Sequence, residues 1–136
     1  MRRHALVVAL FAGVLLIAVS AGSVSANTWE KPTRLSIHAS PSGPVDEGDR
    51  VLIYGRLRPE ACQEDQRIDL MKVTPGPNKV LKSTRTDGDG EYSFRVRPDQ
   101  DMKVYASFAG SVENSYNHSH ACMKSASDRL VIDVSG

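Results

Sequence analysis

The sequence predicts an all-β protein: a cleavable leader, then one antiparallel sandwich of seven strands. Three observations predict it. Helical periodicity is nearly absent beyond residue 26. Short runs rich in β-branched residues alternate apolar with polar positions. Clusters of Gly, Pro and Asp separate those runs at spacings of roughly 10–15 residues. A strand with one apolar face needs a second sheet to cover it, and seven such strands suit two packed sheets.

The runs follow in order. Residues 33–39 set Leu35, Ile37 and Ala39 on one face, and a polar turn region rich in Pro, Gly and Asp follows. Residues 50–57 turn Val51, Ile53 and Leu57 inward and Tyr54 outward. A charged loop, 58–65, carries Cys62, and residues 66–73 then place Ile68 and Leu70 on one face. Pro75-Gly76-Pro77-Asn78 turns the chain into a returning strand, 79–85. Asp87-Gly88-Asp89-Gly90 is a tight turn into 91–97, where Tyr92, Phe94 and Val96 alternate with polar neighbours. Residues 102–110 point Met102, Val104, Ala106 and Phe108 inward and Tyr105 outward. A long polar segment, 111–127, holds Cys122, and residues 129–134 close the set with Leu130, Ile132 and Val134. Residues 27–32, with the only Trp (Trp29), read as an N-terminal arm, and 33–136 as the sandwich.

Residues 1–26 have the parts of a secretory signal peptide. Arg2, Arg3 and His4 form a basic start, residues 5–19 an apolar run, and Val24 and Ala26 a small-x-small cleavage site. The apolar run is shorter than the roughly 20 residues that span a bilayer, so an uncleaved anchor is the weaker alternative. The predicted location is therefore extracellular, with no stable membrane insertion after cleavage. Cleavage removes two arginines and no acid, which turns a net charge of +1 into −1. That balance argues against nucleic acid or an anionic membrane surface as partner.

Cys62 and Cys122 are the only cysteines. In an exported chain an even count reads first as a disulfide, with two free thiols as the alternative. The bond would close a loop of about 60 residues, worth roughly 4 kcal/mol on the chain-entropy model.

At this point the residues carry a resemblance. Gly48 followed by Val51-Leu52-Ile53-Tyr54-Gly55, then Thr86 to Phe94, then Val104 to Gly110, is similar to secreted bacterial immunoglobulin-like (Ig-like) domains of the actinobacterial type. The likeness covers about residues 33–134. It differs from antibody domains, since no Trp lies between the cysteines and these sit in loops. The resemblance implies a structural, adhesive or binding role and carries no catalytic residues.

Several residues offer candidate sites. Asp87, Asp89 and Glu91 have the spacing that opens a Ca²⁺ loop, but the chain then runs straight into a strand, and Asp-Gly pairs suit hairpin turns by themselves. Asp46, Glu47 and Asp49 form a second acidic cluster with the same plain reading. His118, His120 and Cys122 would point one way on an extended chain and could hold Zn²⁺ or Cu²⁺, although a disulfide removes the thiolate. No metal or other cofactor is expected. Tyr54, Tyr105 and Tyr116, with Trp29, could form a platform for a sugar ring or a protein hot spot. The chain lacks a glycine-flanked Ser nucleophile or a free Cys beside a base, so a non-enzymatic protein is expected. The leading expectation is a structural or binding module serving an extracellular protein or polysaccharide. Its recognition loop would be 111–127, tied to loop 58–65 by the disulfide. The alternatives are an exported small-ligand or metal-binding protein and a carbohydrate-binding module.

Overall fold

The computed structural model describes residues 27–115 and 118–136, so the leader lies outside the described residues. The chain is all-β. In order come β1 (Asn27–Lys31), β2 (Arg34–Leu35), β3 (His38–Ser40), β4 (Val45–Asp46) and β5 (Val51–Arg58). A single 3-10 turn (Glu60–Cys62) leads to β6 (Arg67–Lys72), β7 (Lys79–Arg85), β8 (Glu91–Val96) and β9 (Met102–Phe108). The chain ends with β10 (Ser111–Ser115), β11 (His118–Cys122), β12 (Ser125–Ala126), β13 (Leu130–Ile132) and β14 (Val134–Ser135).

Alternation along the strands decides what faces inward. β5 buries Val51, Ile53, Gly55 and Leu57 and turns Tyr54 to solvent. It is the centre of one sheet, with β2 and β3 antiparallel on one side and β8 on the other. Ile53 lies opposite Phe94 and Val51 opposite Val96, so the apolar rows coincide. The second sheet runs β7-β6-β9, with β12 and β13 both paired to β9. Leu70 there faces Ala106, and Leu130 faces Val104. Ile68, Leu70, Val104, Ala106 and Phe108 join the inner residues of β5 and β8 in a single core. One-sided strands are covered in this sandwich-like way, as their pattern demands.

Short β4 pairs parallel with β14, Val45 beside Val134, and ties the segment after the first run to the end of the chain. The run 33–39 divides at Ser36, where β2 gives way to β3, and both halves stay on β5. The division has a visible partner. Tyr92, inward on β8 and only 3 % exposed, donates its hydroxyl hydrogen to the Ser36 carbonyl. Room for that contact comes from Gly55, where a Cβ would stand 1.9 Å from the Ser36 oxygen and 2.6 Å from the Tyr92 hydroxyl. A side chain at residue 55 would therefore force the first strand off the sheet.

In two segments the structure adds strands to the sequence expectation. Within the N-terminal arm, 27–32, β1 pairs parallel with β11, so the arm joins a sheet. The polar segment 111–127 is not a loop throughout, because β10 and β11 pair antiparallel within it.

Burial pushes the Tyr92 phenol pKa up, because desolvation disfavours the phenolate. The unfolded phenol loses its proton near pH 10, while the folded one keeps it to higher pH. The unfolded state therefore binds fewer protons above pH 10, and stability must fall as pH rises there. Urea unfolding from pH 9 to 11.5 should show an added loss of up to about 1.4 kcal/mol per pH unit, absent in Tyr92→Phe. Equal slopes in the two proteins would contradict the assignment.

Candidate functional site

The structure gathers chemistry at the end of the molecule that carries the cysteines. Cys62, buried at the close of the 3-10 turn, is bonded to Cys122 on β11, with the two Cα atoms 5.9 Å apart. β11 is the middle strand of a three-stranded sheet, with β1 on one side and β10 on the other. Gly110 makes the entry to β10 possible. Its φ of +90° belongs to the left-handed region, and a Cβ there would lie 3.0 Å from the Cys122 carbonyl oxygen.

Register fixes which side chains share a face. Trp29, His120 and Glu113 lie side by side across the three strands, and Lys31, Cys122 and Ser111 form the next such row. Because the side-chain period of a strand is two, both rows occupy one face, the face that carries the disulfide. Trp29 is 54 % exposed, and its ring meets the His120 ring edge to face at 5.6 Å. The Lys31 ammonium lies 6.0 Å from the indole centroid. Thr33 and Met123 extend the attachment: Met123 N–H donates to the Lys31 carbonyl at 2.9 Å, and the Thr33 hydroxyl donates to the Met123 carbonyl at 2.7 Å.

Between this face and the 3-10 turn lies a cavity of about 270 Å³. Trp29, the two half-cystines, Ala61 and Ala121 supply apolar wall. Gln66, Ser111, Glu113, Lys31 and His120 supply polar atoms. Among the described residues neither Lys31 nor Glu113 takes part in an ion pair.

The other candidates fall elsewhere. Tyr54 is 41 % exposed on the outer face of β5, its ring 5.5 Å from that of His38. Tyr105 is half-buried on β9, where its hydroxyl accepts a 3.0 Å hydrogen bond from the Asn78 amide. These tyrosines belong to different sheets and form no common platform. Tyr116 lies outside the described residues. The backbone of His118 is in β11, opposite Ser115 and Asn27.

Asp87 serves its turn: one carboxylate oxygen accepts the backbone N–H of both Asp89 and Glu91 at 2.9 Å. Glu91 pairs with Arg56 at 2.9 Å. Asp49 likewise accepts the Asp46 N–H at 3.2 Å. No group of three His, Cys, Asp or Glu side chains among the described residues is placed to hold a metal ion.

Sequence reasoning missed Glu113, Gln66 and Lys31 and undervalued Trp29. The signal that pointed here was the alternation His118, His120, Cys122, which does mark an extended chain. No protein-family model matches the chain, and no curated protein matches it significantly.

Replacing both cysteines by alanine should lower unfolding free energy by roughly 4 kcal/mol, read from urea denaturation. Amides of β1, β10 and β11 should lose hydrogen-exchange protection before those of β5 and β9. Unchanged stability, or uniform loss of protection, would contradict the tethered-sheet account.

Proposed function

We propose that the chain is an exported, non-enzymatic Ig-like binding module. It engages an extracellular protein or polysaccharide through the disulfide-held end formed by β1, β10, β11 and the 58–66 loop. The observation that carries the reading is Trp29: a large aromatic ring, half exposed, set against His120 on a sheet bonded to the body. Exposed aromatics on a rigid support lose little entropy on binding and dominate recognition surfaces.

Export is supported by the leader pattern and by a disulfide, a bond that persists in oxidising compartments. No helix among the described residues is long and apolar enough to cross a membrane. The Ig-like assignment is supported by the order of the seven runs. Runs one, two and five share a sheet (β2 with β3, β5 and β8), and runs four, three, six and seven share the other (β7, β6, β9 and β13). In the constant-type immunoglobulin arrangement the fourth strand joins the fifth, so this chain has moved that strand to the opposite sheet. Binding is favoured over catalysis because both thiols are spent in the bond and the chain has no glycine-flanked serine nucleophile.

The test is retention of the producing host's extracellular fraction on the immobilised mature protein. Trp29→Ala should cut retention at least about tenfold with little change in melting temperature, since the ring is half exposed. Tyr54→Ala should leave retention intact. Equal retention by the Trp29 variant would remove this end from the reading.

A further inference from the structure

The cavity beside Trp29 has a lining that restricts what can occupy it, and the ligand class follows from that lining. The lining combines apolar residues, Trp29, Cys62, Cys122 and Ala61 among them, with residues that carry hydrogen-bonding groups. Those groups carry both signs: the Lys31 ammonium and the Glu113 carboxylate, on the two outer strands, are not paired with one another. A phosphate or another strongly anionic group would be repelled by Glu113, and a strong cation by Lys31. A purely apolar ligand would strip water from both charges without replacing it.

A neutral ring with an apolar C–H face and a girdle of hydroxyls meets neither objection. It stacks on the indole and exchanges hydrogen bonds with the carboxylate, the ammonium and the Gln66 amide. We propose, resting on the binding-module reading above, that this cavity is a subsite for one neutral saccharide ring. Trp29 is the stacking platform, Glu113 and Gln66 accept from its hydroxyls, and Lys31 donates to one.

Size agrees. The volume, about 270 Å³, lies just below the roughly 300–1,000 Å³ range of ligand pockets, room for one ring rather than a chain buried end to end. The Lys31 ammonium sits at the outer limit of a cation–π contact, about 6 Å, so an arriving ring displaces little. Gln66 is pre-oriented, because its side-chain amide donates to the Glu64 carbonyl at 2.8 Å and its side-chain oxygen remains to accept. Both half-cystines, Cys62 and Cys122, are among the lining residues.

The chain's single tryptophan makes the test direct, since all indole emission comes from Trp29. The mature protein is titrated with glucose, galactose, mannose, N-acetylglucosamine and their β-linked disaccharides while emission is followed. At least one sugar should shift the emission to the blue and saturate with a dissociation constant on the order of 1 mM, as expected for so small a ligand. Glu113→Gln and Gln66→Ala should each weaken that sugar at least about fivefold without lowering the melting temperature. Tyr54→Ala should leave it unchanged.

Emission unmoved by every sugar up to roughly 50 mM, far above that constant, overturns the proposal. So does a shift that both site variants retain. If the sugars fail but the immobilised mature protein retains a component of the host's extracellular fraction that Trp29→Ala does not retain, the saccharide class falls and the binding-module reading stands. If the sugars fail and nothing is retained in a Trp29-dependent way, both fall.

Discussion

A three-stranded sheet of five-residue strands has little to hold it in place. Val112 on β10 is 64 % exposed, and β11 offers Ala121 and Cys122 as its apolar side chains. Small sheets of this kind are marginal in water unless packed against something larger. What fixes this one is the Cys62–Cys122 bond, which joins its middle strand to the 3-10 turn between β5 and β6. The bond converts a polar excursion between β9 and β12 into a wall of defined position, and the cavity with Trp29 lies against that wall.

The body to which the sheet is tied is set by a different constraint. Two apolar faces meet in one core, and the inner row of β5 is interrupted once, at Gly55. There the missing side chain admits the Ser36 carbonyl and the Tyr92 hydroxyl, which bond to each other. A buried phenol needs such a partner, because an unsatisfied hydroxyl in the core costs about 1–3 kcal/mol. This contact links the first run to β8 across the face of β5, and β2 in turn leads back through Thr33 to the site.

Most of the body was legible in the sequence, and most of the site was not. Val51, Ile53, Leu57, Tyr92, Phe94, Val104 and Phe108 announce their burial by period-two alternation, and Asp87-Gly88-Asp89-Gly90 announces a turn. Strands β1, β10 and β11 carry no such alternation, because their sheet buries little beyond the disulfide face, so polar composition reads as loop. Partnership across strands is also silent in composition: nothing in the sequence sets Trp29 beside His120, some 90 residues away. That Tyr54 and Tyr105 lie on different sheets was hidden for the same reason, since outward direction is legible and the sheet to which each belongs is not.

The central claim is that the disulfide positions Trp29 against β11. The most direct measurement is the proton Overhauser contact between the Trp29 and His120 rings, recorded in the oxidised protein and again after reduction. The account predicts a clear contact in the oxidised form and its loss on reduction, while the contact between Tyr92 and Phe94, whose rings are 5.7 Å apart in the core, persists. A Trp29–His120 contact that survives reduction, or that is missing while the bond is intact, would contradict it.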